Sequence, residues 1–252
     1  MSKQTPVALI TGSGRRRVGN VVAEALAERG YQIALHYNTS QEEAEETAAR
    51  FQKQYGARTL PIQANVAHED DVEAMFDEIG AEFGRLDVLV NAAAVWQPKP
   101  LEDTAADDVR RQFDINALGT FLCCQRAGRM MAGQDDGGVI VTIGDWAIAR
   151  PYAGYAAYFA SKGAIPTLTR TFAVELAARN RKIRVNCIEP GPVMLPPDLS
   201  QQEVKGAVAG TLLKRPGSPE NVAQAVLFLI ENDYVTGVCL PVDGGRMIAA
   251  AE

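Results

Sequence analysis

Val7-Ala8-Leu9-Ile10-Thr11-Gly12-Ser13-Gly14-Arg15-Arg16-Arg17-Val18-Gly19 decides the fold. Its first four residues are continuously apolar, the pattern of a strand covered on both faces. The glycines then let the backbone turn sharply before a helical pattern opens over residues 21–29. A glycine-rich turn between a first strand and a first helix presents free N–H groups and the positive end of a helix dipole, which suits a pyrophosphate. Gly12, Ser13, Arg15, Arg16, Arg17, Val18 and Gly19 are the candidate contacts. An ordinary strand-to-helix turn is the plainer reading of the same residues.

Outward from this stretch, strand-like runs at 7–10, 32–37, 58–63, 86–91, 139–143, 184–188 and 238–241 alternate with helical patterns. The helices fall at 21–29, 41–55, 70–83, 107–131, 158–179 and 219–230. Such alternation implies an α/β, Rossmann-type, doubly wound parallel sheet of about seven strands, with helices on both faces. No repeat or linker interrupts it, so residues 1–252 are expected to form one domain. In the 158–179 helix, Ile165, Leu168, Phe172 and Leu176 share one face, and Pro166 predicts a late start or a kink. Residues 190–213, with Pro192, Pro196 and Pro197, lack periodicity and are expected to be a loop beyond a strand's carboxyl end.

Composition narrows the function classes. The 252 residues are 47% hydrophobic and 22% charged, as in globular chains. A net charge of -6 argues against nucleic acid or anionic membrane as partner. No secretory signal opens the chain and no apolar run is long enough to span a membrane. Cys123, Cys124, Cys187 and Cys239 are too few for a disulfide scaffold and read as thiols in a reducing cytoplasm, the expected location.

Charge also speaks to the dinucleotide that such a turn would hold. A site for NAD usually ends its second strand with a carboxylate on the ribose hydroxyls. Here that strand ends His36-Tyr37-Asn38-Thr39-Ser40, with no acid before Glu42. Three consecutive arginines stand in the turn opposite, and one guanidinium can grip a 2′-phosphate bidentately. NADP(H) is therefore the expected cofactor, with Tyr37, Asn38, Thr39 and Ser40 beside it; a merely solvated arginine cluster is the alternative.

Tyr158 and Lys162 stand four apart at the start of a helix, so both project from one face. A phenol is too weak an acid to exchange protons readily at neutral pH, and a nearby ammonium would make it more acidic. The pair is the candidate proton-transfer couple. Tyr152 and Tyr155 have no such lysine and read as packing or pocket-wall residues.

Taken together, these motifs make the chain resemble a short-chain dehydrogenase/reductase over nearly its whole length. The matching residues are the 11–19 turn, Asn91-Ala92-Ala93-Ala94, Asn116, Tyr158 with Lys162, Pro190-Gly191, and Val242-Asp243-Gly244-Gly245. The resemblance implies that Lys162 also holds the nicotinamide ribose, that Asn116 supports a water-linked proton relay, and that Val193 meets the carboxamide. It places Asn65 and Val66 near the adenine and Asn91, Ala92 and Ala93 along the dinucleotide. Relatives of this kind are usually tetramers packed through the 107–131 and 158–179 helices, so a homotetramer (or dimer) is implied here.

Two departures matter. The family's turn carries its glycines in a Gly-x-x-x-Gly-x-Gly spacing, whereas here Arg16 or Arg17 replaces the middle one and the turn is one residue longer, so which arginine would reach a phosphate stays open. The family's catalytic serine, thirteen residues before the tyrosine, is Asp145. A carboxylate there would repel charge developing on a ketone oxygen, unless desolvation keeps it protonated. An acid suits a substrate whose proton goes to a ring nitrogen. Pteridine reductases of this family carry an aspartate there and an aromatic that stacks on the pterin, whose position Trp96 matches. The implied substrate is thus a pterin-like C=N heterocycle, contacted by Trp96, Asp145 and Tyr158. A carbonyl reductase of the 3-oxoacyl type is the main alternative, and a catalytically idle NADP-binding sensor or scaffold a more distant one. Trp96 as an ordinary loop aromatic is likewise open.

Overall fold

The computed structural model describes residues 5–195 and 200–249; residues 1–4 and Pro196 and Pro197 of the expected loop lie outside the described residues. Seven strands, β1 (Val7–Thr11), β2 (Gln32–Tyr37), β3 (Thr59–Gln63), β4 (Val88–Asn91), β5 (Gly138–Ile143), β6 (Ile183–Pro190) and β7 (Cys239–Val242), form one sheet in the order β3-β2-β1-β4-β5-β6-β7. All neighbouring pairs are parallel, with Thr11 opposite Asn91 and Asn91 opposite Thr142. The order reverses between β1 and β4, which opens a crevice beyond the strand carboxyl ends, where α/β sheets bind ligands.

Strand side chains alternate between faces, so β1 feeds two cores. Val7 and Leu9 join Leu89, Ile140 and Val185 under α3 (Glu69–Phe83), α5 (Gly119–Ala132) and α6 (Ala156–Ala177). Ala8 and Ile10 join Val90, Val141 and Ile188 under α1 (Val18–Glu28) and α8 (Pro219–Glu231). The second helix, α2 (Gln41–Tyr55), buries Ala44, Thr47 and Phe51, spaced for one face. Burying Phe51 completely stabilises the fold by roughly 1.5–3 kcal/mol.

Three expectations are corrected. The single helix over 107–131 is divided: α4 (Ala106–Phe113) passes through a π-helical turn (Asp114–Leu118) into α5. Such turns admit one extra residue and re-aim the side chains that follow. Of the late start or kink expected at Pro166, the late start does not occur: α6 begins at Ala156, with Pro166 in its interior. The stretch expected to be loop contains α7 (Gln201–Ala209), started by Ser200 and Glu203 in a reciprocal cap with the Glu203 N–H donating to Ser200 Oγ at 3.3 Å. Among the described residues no helix is long and apolar enough to cross a membrane, and all four cysteines are free.

Candidate active site

The glycine-rich turn is pressed between three strands. Gly12 has φ +67, and a Cβ on it would lie 2.8 Å from Ala93 Cα, so the β1 and β4 turns touch backbone to backbone. Thr11 Oγ1 accepts from the N–H groups of both Ala92 and Ala93 at 3.0 Å. The Gly12 N–H donates to His36 Nδ1 at 2.9 Å, which leaves Nε2 to carry the proton toward the Ala64 carbonyl at 3.1 Å. Burial holds the His36 imidazole down at about 4, hence neutral at pH 7. Ser13 donates through its N–H to the His36 carbonyl and through Oγ to the Ile10 carbonyl, and Asn20 holds the Ser13 carbonyl at 2.8 Å.

A Cβ on Gly14 would sit 2.5 Å from Ser40 Oγ and 2.7 Å from Tyr37 Cβ, so the turn lies flat on the end of β2. The exposed Arg15, Arg16 and Arg17 thus stand beside Tyr37, Asn38, Thr39 and Ser40, none of which is acidic. Arg15 pairs with Glu43 at 3.3 Å; the charge of Arg16 reaches Glu220. No side chain caps α1 at Arg17, which leaves the first N–H groups, from Val18 and Gly19 onward, for an anion. These features together fit a dinucleotide: backbone that only glycine allows, an uncapped helix start and guanidinium groups at the rim.

Asn65 and Val66 end the run after β3. Asn65 is engaged locally, its N–H donating to Asp71 and its Oδ1 accepting from Ala67, while Val66 is buried against Gly119. Asn91 turns inward to Cys124 Sγ at 3.2 Å. At the other rim, Gly191 donates to the Val242 carbonyl, and Val193 is buried beside Gly217.

Asn116 lies in the π-helical turn and is buried. It grips the loop after β4 through both backbone groups of Val95, accepting from its N–H at 2.8 Å and donating to its carbonyl at 3.0 Å. The same Nδ2 reaches Ser161 Oγ at 2.9 Å, beside Lys162 on α6. Ser161 in turn donates to the Tyr158 carbonyl at 2.7 Å.

The proton-transfer residues converge on the end of β5. Tyr158 and Lys162, 6% and 4% exposed, project from one face of α6. Lys162 Nζ donates to the Ile143 carbonyl at 2.8 Å. The Tyr158 hydroxyl donates to Asp145 Oδ2 at 2.7 Å, and Asp145 Oδ1 accepts from the Ala147 N–H at 2.8 Å. With both oxygens accepting, Asp145 is the acceptor of this pair and Tyr158 the donor. The expected acidification of the phenol is overturned. Burial, the Asp145 charge and the hydrogen bond to it hold the Tyr158 proton more tightly than in water. Burial pushes the Lys162 ammonium down, with Asp145 and Cys187 opposing.

Trp96 stacks on Tyr155, ring centroids 4.8 Å apart and planes 15° from parallel. Tyr152 meets Tyr155 and Phe159 edge-on at 5.2 and 4.9 Å, and Phe159 packs on Tyr158. One face of Trp96 is therefore occupied by protein. Sequence reasoning missed three supports. His36 pins the phosphate turn. Ser161 joins Asn116 to α6. The Arg246 guanidinium lies 4.6 Å over the Trp146 ring and ties the carboxyl-terminal segment to the Asp145 turn. A buried polar residue within an apolar strand or helix was the available signal for the first two.

A sheet whose crevice is lined by this turn and a buried Tyr–Lys pair defines a nicotinamide-dependent oxidoreductase. A family profile described as enoyl-(acyl carrier protein) reductase matches residues 13–246. The chain belongs to the short-chain dehydrogenase/reductase family. It is 34% identical to a short-chain type dehydrogenase/reductase of Picea abies, over 96% of this chain and 92% of that one. It is 36% identical to a 3-oxoacyl-[acyl-carrier-protein] reductase of Rattus norvegicus, over 94% and 96% respectively. The crystal structure of a dehydrogenase/reductase from Sinorhizobium meliloti 1021 superposes with a TM-score of 0.88 at 32% identity, covering 97% of this chain and 96% of that one.

Proposed function

We propose that the chain is an NADP(H)-dependent reductase of a small planar C=N heterocycle, pterin-like in shape. The single observation that carries this reading is the Tyr158–Asp145 hydrogen bond. A carboxylate in that place disfavours charge building on a carbonyl oxygen, which leaves a ring nitrogen as the atom that receives the proton. NADPH, when bound, supplies the hydride. Gly12, Ser13, Val18 and Gly19 would cradle its pyrophosphate, and one of Arg15, Arg16 and Arg17 its 2′-phosphate, beside Tyr37–Ser40. Asn65 and Val66 would lie by the adenine, Asn91, Ala92 and Ala93 along the ribose, and Pro190, Gly191 and Val193 by the carboxamide.

In this reading Tyr158 delivers its proton to the substrate ring nitrogen. Lys162 holds the nicotinamide ribose, and Asn116 supports the path by which Tyr158 is reprotonated. Asp145 orients the phenol and keeps it protonated until substrate arrives. The exposed face of Trp96 would cover the heterocycle, a stack adding roughly 0.5–1.5 kcal/mol beyond area burial. The protein would act as a single domain over residues 1–252, in the cytoplasm, as a homotetramer.

A second reading, carbonyl reduction of the 3-oxoacyl type, is favoured by the printed name of the rat relative. An NADPH-oxidation screen over dihydropterins, folates, ketones and 3-oxoacyl thioesters separates the two. Turnover of the heterocycles, lost in Tyr158→Phe, is the expected result. Turnover confined to ketones or thioesters would replace the first reading by the second.

A further inference from the structure

We propose that Cys187, Glu189 and Cys239 form a binding site for a thiophilic divalent cation of the zinc type, close behind Lys162 and Asp145. Cys187 on β6 and Cys239 on the edge strand β7 are direct partners in register, and Glu189 lies two residues along β6 on the same face. The two sulfurs and a carboxylate oxygen lie within 4.8 Å of one another. Ligand atoms around a tetrahedral zinc, with bonds of about 2.0–2.3 Å, stand roughly 3.3–3.8 Å apart, so an adjustment of about an ångström closes the set.

The observation that asks for a ligand is Glu189. The residue is 6% exposed, and its carboxylate oxygens, which form no hydrogen bond or ion pair with a described residue, still touch solvent. A carboxyl in such a place is costly unless a cation offsets it. A disulfide between the cysteines would leave that carboxyl unexplained, whereas a cation uses all three groups. Two thiolates and a carboxylate around a dication leave one net negative charge. The exposed Arg170, whose Nη2 lies 3.9 Å from Cys239 Sγ, stands where it offsets that charge from outside. Cys239 is half-buried on the sheet edge and gives the ion a way in, with the fourth position left to water. Cys123 and Cys124, fully buried elsewhere, take no part.

The bound ion would staple the edge strand to β6 just before Pro190-Gly191, and the inference stands whichever substrate the enzyme takes. Its test uses the full chain, reduced and stripped with a chelator, then titrated with cobalt(II) and back-titrated with zinc. One equivalent per chain is expected, with a sulfur-to-cobalt charge-transfer band that zinc abolishes. Cys239→Ser should lose the band. Glu189→Gln should keep it but bind at least about 10–100-fold more weakly, since that much is lost with an outer-sphere partner alone. X-ray absorption of the zinc-loaded wild type should count two sulfur neighbours, a reading independent of how the variants fold. Absence of stoichiometric uptake, uptake unchanged in Cys239→Ser, or a coordination shell without sulfur would each overturn the proposal.

Discussion

The Tyr158 hydroxyl donates to Asp145 Oδ2 across 2.7 Å, so the group meant to give up a proton is held by an acceptor that strengthens its grip. Substituting Asp145→Ser removes the negative charge and restores a neutral hydroxyl donor at that position. Because one donor to a developing oxyanion is worth roughly 100- to 1000-fold in rate, kcat/KM for ketones relative to pterins should rise by at least about tenfold. A ratio unchanged by the substitution would count against the role given to Asp145.

The same pair makes a pH prediction. The Asp145 charge raises the Tyr158 pKa, after burial the largest cause. Removing that charge in Asp145→Asn must lower it. The pH at which the alcohol- or amine-oxidising direction accelerates, as the phenolate forms, should therefore move downward in the variant. The pH profile of kcat/KM measures this; a shift upward would mean that Tyr158 is not the titrating group.

His36 links the phosphate turn to stability. Its folded-state pKa lies at about 4, below the ordinary 6.5, because burial disfavours the charged ring. Its contribution is therefore complete above about pH 6.5 and is lost as pH falls toward 4. The whole of it is of order 3 kcal/mol. Melts of wild type and His36→Gln between pH 7 and 4.5 should show the steeper loss in wild type. Equal slopes would remove His36 from the account.

Much of this was legible beforehand, and the misses have physical causes. The apolar 7–10 run and its turn mark β1 and α1 because glycine and buried strand leave few alternatives. The π-helical turn at Asp114–Leu118 escaped because apolar periodicity continues through it. Helix α7 escaped because it buries no residue fully, although Ser200 and Glu203 had the spacing of a capping box. The phenol's acidity was misjudged because the i, i+4 spacing puts Lys162 near Tyr158 without saying where the ammonium points. It points to the Ile143 carbonyl. Trp96 was located correctly beyond β4, but its partner Tyr155 lies far along the chain and no local pattern announces the stack.

Cofactor preference rests on the arginines. Arg15 already pairs with Glu43, so Arg16→Ala and Arg17→Ala should raise the NADPH dissociation constant more than Arg15→Ala. Losing a charged hydrogen bond of roughly 1.5–3 kcal/mol corresponds to about 10- to 150-fold. Asn38→Asp, which places a carboxylate by the ribose, should move preference toward NADH. Fluorescence titration with both dinucleotides reads this, and equal affinities in wild type would sink the NADP(H) assignment.

The proposed tetramer rests on apolar surface. Val174 on α6 is 73% exposed, and Phe113, Leu118 and Phe121 are exposed along the α4–α5 run. Side chains of this kind on two long helices are costly in water and are covered when copies pack face to face. Val174→Lys puts an unpaired charge into such a face, and a desolvated charge without a partner is strongly unfavourable. Wild type should sediment as a tetramer at micromolar concentration and Val174→Lys as a smaller species with an unchanged far-ultraviolet spectrum. A wild-type monomer at that concentration removes the proposal, because the exposed helices would then have to be explained by another partner.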